Sequence, residues 1–127
     1  MVAFLSGCAK SGRMPVTGKV DFRDGQPVTF GIIEFVPTGP GKAARGKIEK
    51  DGSFSLRTGS NEGAEPGEYC VAILQPVIRD GLPDKARHHI HDARLVHSKY
   101  RRPETSELKA AVSETSRQFH FVVDAGI

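Results

Sequence analysis

The chain has 127 residues, 38% hydrophobic and 26% charged, an ordinary globular composition with room for one domain and one core. Its formal charge of +3 comes from Lys and Arg spread among Asp and Glu, which argues against a nucleic-acid surface. Fourteen Gly and eight Pro favour turns over long helices, two Cys exclude a disulfide-rich scaffold, and no apolar run reaches the about 18 residues of a membrane-spanning helix.

The first readable string is Leu5-Ser6-Gly7-Cys8, an apolar residue, two small residues and a cysteine. It has the form of a lipobox, in which the cysteine is acylated and becomes the first residue of the mature protein. That reading makes Cys8 the lipidation site and places the chain in a bacterial cell envelope, attached to a membrane on its periplasmic or surface side. Met1 to Leu5 supply only five apolar residues and no basic one, whereas a secretory signal has a positive start and about 7 to 15 apolar residues. Residues 1–14 are therefore read as a truncated lipoprotein signal remnant and linker.

From Pro15 the chain alternates with period two. Val16, Gly18, Val20 and Phe22 form an apolar or small face against Thr17, Lys19, Asp21 and Arg23, the pattern of a strand covering a core on one side. Asp24-Gly25 predicts a hairpin turn. Phe30 to Val36 follows, with Gly31, Ile33 and Phe35 inward and Ile32 and Glu34 outward, and Pro37 is expected to end it. Ala44, Gly46 and Ile48 alternate with Arg45, Lys47 and Glu49. A second Asp-Gly, Asp51-Gly52, is expected to join that strand in a hairpin to one holding Phe54 and Leu56. Residues 61–67 read as a polar connection. Glu68 to Leu74 is apolar on both faces, as a central strand would be.

Residues 76–98 break the rhythm and read as a long loop excursion. Two strands then close the domain, Leu108 to Val112 and Gln118 to Asp124, the latter with Phe119, Phe121 and Val123 inward. The fold class is all-β: a single seven-stranded antiparallel β-sandwich over residues 15–125, with no convincing helix.

Several of these segments together carry a resemblance. Pro15-Val16-Thr17-Gly18-Lys19-Val20, Asp24-Gly25-Gln26-Pro27-Val28, Asp51-Gly52-Ser53-Phe54 and Pro66-Gly67-Glu68-Tyr69 resemble the carboxypeptidase regulatory-like domains. The string Lys99-Tyr100-Arg101-Arg102-Pro103-Glu104-Thr105-Ser106-Glu107-Leu108 resembles one found in small bacterial lipoproteins of that type. The resemblance implies a transthyretin (prealbumin)-like Greek-key sandwich and no catalysis by the domain itself.

Candidate chemistry is sparse. His88, His89, His91 and His97 fall in the excursion, and imidazoles at i and i+2 of an extended segment point the same way. His89, His91 and His97 are thus the candidate metal ligands, for zinc or copper. Ser53 in Asp51-Gly52-Ser53-Phe54 is not a G-x-S-x-G elbow and reads as a turn residue. Cys70 reads as a buried, inert thiol. Lys99, Arg101 and Arg102 read as a solvated loop, or as a contact for phosphate headgroups or an acidic partner. The expected function is non-enzymatic and cofactor-free: a structural or protein-interaction module of the envelope with a protein or glycan partner and no nucleic acid. Metal binding by the His88–His97 loop and carbohydrate binding are the alternatives, although the chain has no Trp to serve as a stacking platform.

Overall fold

Nine short strands arise from the alternating segments in the computed structural model, which describes residues 13–75 and 94–126. In chain order they are β1 (Thr17–Phe22), β2 (Ile32–Pro37), β3 (Ala44–Lys47), β4 (Ser53–Ser55), β5 (Arg57–Thr58), β6 (Asn61–Glu62), β7 (Gly67–Leu74), β8 (Leu108–Val112) and β9 (Gln118–Val123). They form a three-stranded sheet, β4-β1-β9, and a six-stranded sheet, β6-β5-β3-β2-β7-β8. The chain is an all-β sandwich, as its periodicity predicts.

Three expectations are corrected. The strands number nine rather than seven, because the strand expected at Phe54 and Leu56 stops at Ser55 as β4, the unassigned Arg57–Thr58 forms β5, and residues 61–67 begin with β6. Leu56, fully buried, sits at the division; its N–H donates to Val16 O at 2.9 Å and its carbonyl accepts from Gly63 N–H at 2.8 Å. Two-residue strands are too short to display a period of two. The sandwich is also not wholly antiparallel: β1 and β9 run parallel, from Thr17 beside Gln118 to Phe22 beside Val123. Finally, Asp51-Gly52 makes a tight turn, with Gly52 N–H donating to Glu49 O at 2.9 Å, but it leads from β3 in one sheet to β4 in the other. Only Asp24-Gly25 turns the chain back on its own sheet, where Val28 N–H donates to Val20 O at 3.0 Å. Both turns require glycine, with φ of 94° at Gly25 and 88° at Gly52.

The inward faces of β1 and β2 are those read from the sequence, and in β7 the Tyr69 face is the inward one of two apolar faces. Val16, Val20 and Phe22 of the first segment, Ile33 and Phe35 of β2, and Tyr69, Val71 and Ile73 of β7 are all buried. Phe35 reaches from the six-stranded sheet into an aromatic group from the other. Its ring centroid lies 6.2 Å from Phe54, 5.7 Å from Phe119 and 6.0 Å from Phe121, at tilted to edge-on angles that suit the ring quadrupoles. Gly18 and Gly46 occupy inward positions for want of space. A Cβ on Gly18 would overlap the Phe119 carbonyl and the Phe54 ring, and one on Gly46 would overlap the Ser55 carbonyl. Edge strand β4 therefore packs directly under β3.

Cys70, expected to be buried, is only partly so, on the face of β7 opposite Tyr69 and Val71. A helical segment also appears where none was expected: a 3-10 turn, Ser98–Arg101, followed by the one-turn helix α1, Pro103–Ser106. It lies against β7 and delivers the chain to β8.

Candidate functional site

The predicted sites fare unequally. Cys8, His88, His89 and His91 lie outside the described residues. His97 is described and caps the 3-10 turn: its Nδ1 accepts from Lys99 N–H at 3.0 Å, and its own N–H donates to Asp124 O at 2.9 Å. Among the described residues, no group of three His, Cys, Asp or Glu side chains is placed to hold a metal ion. Ser53 donates from Oγ to Asp51 Oδ1 at 2.6 Å and from its N–H to the same oxygen at 3.0 Å. Those bonds hold the Asp51 carboxyl below its ordinary range and fix Ser53 as a turn residue.

The Lys99 to Leu108 string resolves into a clasp. Tyr100 is buried, and its hydroxyl accepts from Asp124 N–H at 2.9 Å. Lys99 Nζ lies 3.2 Å from Asp124 Oδ2, and Arg23 Nε donates to Asp124 Oδ1 at 2.6 Å. Pro103 opens α1 where its missing N–H is not needed. Thr105 Oγ1 donates to Lys99 O at 2.7 Å, and buried Ser106 accepts from Leu108 N–H at 3.2 Å. The Arg23 hydrogen bond first, then that of Lys99, pulls the Asp124 carboxyl down to about 2. Arg101 and Arg102 of the expected basic contact remain exposed.

The described residues on either side of residues 76–93 are held by side chains as well. Buried Gln75 accepts from Val96 N–H at 2.8 Å and donates to Phe30 O at 3.1 Å. Arg94 reaches Asp24 at 2.9 Å and lies 4.0 Å over the Phe22 ring. Both flanks of the excursion are thereby fixed to the sandwich.

A broad concavity among the described residues lies elsewhere, where β4 meets β3. It is an open depression of about 1320 Å³, formed by the starts of β1 and β9, by β3 and β4, and by the chain from Arg57 to Gly59. Gly18, Phe54, Phe119, Gly46 and Ile32 give it apolar surface; Thr17, Ser53, Ser55 and Gln118 add hydroxyls and an amide. Lys19, Arg45, Lys47 and Arg57 bring four fixed cations, joined by His120, against the single carboxylate of Glu49. Arg45 Nε donates to Glu34 at 2.8 Å, and Lys19 Nζ stands 3.8 Å from Asp21. Asp21 Oδ2 is bonded to His120 Nε2 at 2.7 Å, while its buried Oδ1 has no hydrogen-bond partner among the described residues. Lys47 and Arg57 make no ion pair among the described residues.

Sequence reasoning placed Lys19, Arg45 and Lys47 correctly on outward positions but saw no site in them. Their convergence depends on β4 crossing from one sheet to the other, which no local pattern encodes. Arg57 fell in a stretch without an assigned strand. Comparison of the chain with known protein families, with curated proteins and with solved structures gives no match.

Proposed function

We propose that this protein is a non-enzymatic binding module of the bacterial cell envelope, held to a membrane by acylated Cys8 and presenting the β3/β4 depression to a partner. The observation that carries the reading is the depression itself, a concave surface assembled from both sheets and lined by apolar residues and four fixed cations. A rigid sandwich with a placed set of polar groups is what a binding scaffold requires. The lipobox string supports the tether. Acyl chains contribute roughly 0.8 kcal/mol per buried CH₂, and stable attachment takes more than one chain, which a multiply acylated cysteine supplies. The segment resemblances support a carboxypeptidase regulatory-like, transthyretin-like membership, in which the domain does no chemistry of its own.

A photo-crosslinking amino acid at Ser55, in the depression, or at Lys109, on β8 away from it, tests this in cells expressing the chain behind a lipoprotein secretory signal. The expected result is a discrete adduct from Ser55 alone, together with palmitate labelling, and loss of both when Cys8 is replaced by Ala. Equal crosslinking from both positions, or a label independent of Cys8, contradicts the proposal.

A further inference from the structure

We infer that the depression takes an extended acidic polypeptide segment, an assignment that rests on the binding-module reading and names the ligand class of its site. Size is the first argument. Pockets that enclose a small molecule measure roughly 300 to 1,000 Å³, and this one is larger, at about 1320 Å³, and open to solvent. Such a space suits a stretch of polymer several residues long.

Charge is the second. Arg45 and Arg57 stand directly opposite each other across the β3/β5 pair. Like charges so placed destabilise a sheet, and a fold under selection for stability alone replaces one of them. Glu34 pairs with Arg45, while Arg57, which has Glu62 opposite it in register on β6, closes no ion pair with that carboxylate and donates instead to Ser60 O at 2.7 Å. Lys47, next on the same outward face of β3, is paired in register with Ile32, which is 37% exposed. Rules of local stability are broken where a surface serves a ligand, and here two are broken side by side: adjacent like charges and an uncovered large aliphatic side chain.

The pattern of the surface specifies the occupant. An extended chain points successive side chains in opposite directions. Acidic residues alternating with apolar ones would place carboxylates against Lys47 and Arg57 and apolar groups against Ile32 and Phe119. Arg presents a planar fork that takes a carboxylate through two hydrogen bonds. The hydroxyls of Ser53 and Ser55 and the amide of Gln118 face the backbone polar groups such a segment brings with it.

The test uses the full chain and a fluorescent hexapeptide of alternating Glu and Val, in low salt, with binding followed by anisotropy and by amide resonance shifts. Two double variants remove equal charge: Lys47→Glu/Arg57→Glu in the depression and Arg101→Glu/Arg102→Glu outside it. All four side chains are exposed, and unchanged melting temperatures verify that the variants fold; Lys47→Ala/Arg57→Ala is the milder substitute. The inference predicts shifts at Gly46, Ser55 and Phe119, with affinity lowered about tenfold or more by the first variant and left nearly unchanged by the second. Equal weakening in both variants overturns it, since attraction would then follow net charge alone. An oligouronate is run in parallel. If the uronate shifts these resonances and the peptide does not, the peptide assignment fails and the binding-module reading stands. If neither shifts them, both fail.

Discussion

Gly46 shows how one residue decides both packing and site. It stands in an alternating strand where the core expects an apolar side chain, and any Cβ there would overlap the Ser55 carbonyl. Its absence lets edge strand β4 lie beneath β3, and that crossing makes the depression. Gly46→Ala is expected to lower stability by about 1 to 3 kcal/mol, the usual cost of forcing extra volume into a packed position. Urea denaturation with an unchanged slope checks this; an unaltered midpoint would mean that β4 yields freely. The sequence reading placed Gly46 on the inward face, because alternation is local information. What fills the space beside it belongs to a strand in the other sheet, and local pattern is silent there.

At the scale of elements, the Lys99 to Leu108 string was legible as a recurring pattern but not as structure. Its residues serve one another: Tyr100 and Lys99 grip Asp124, Pro103 begins α1, and Thr105 and Ser106 bond the backbone on either side. Such side-chain to backbone bonds leave no periodicity to read. The clasp has a pH signature. The Asp124 carboxyl is lowered from 3.8 to about 2 by the Arg23 hydrogen bond and then that of Lys99, so the folded state favours its charged form. A carboxyl lowered on folding stabilises the protein above its unfolded value, and that contribution is lost as pH falls through its folded value. The melting-temperature gap between wild type and Asp124→Asn is therefore expected to persist at neutral pH and to close between about pH 4 and pH 2. A gap that stays constant through that window would show that Asp124 acts through geometry and not charge. The nine strands teach the same lesson in reverse. β1, β2, β7 and β9 were readable because six to eight residues display a period, whereas the two-residue β5 and β6 do not.

For the whole molecule, the two-sheet sandwich was legible in the sequence, and the depression was not. Inward faces follow from each strand taken alone; the juxtaposition of β1, β3, β4 and β9 follows from topology, including the parallel β1–β9 pair that antiparallel hairpins would never produce. Cys8 and His88, His89 and His91 were visible only as string and composition, and lie outside the described residues. The central proposal is that the protein sits in a cell envelope with its depression occupied. Hydroxyl-radical footprinting tests it directly, because exposed aliphatic side chains are present in and away from the depression: Ile32, 37% exposed, lines it, while Leu95 and Val122, 39% and 42% exposed, do not. Compared with the purified protein, the protein in native envelopes is predicted to lose oxidation at Ile32 while Leu95 and Val122 react as before. Equal oxidation of Ile32 in the two preparations would contradict the account.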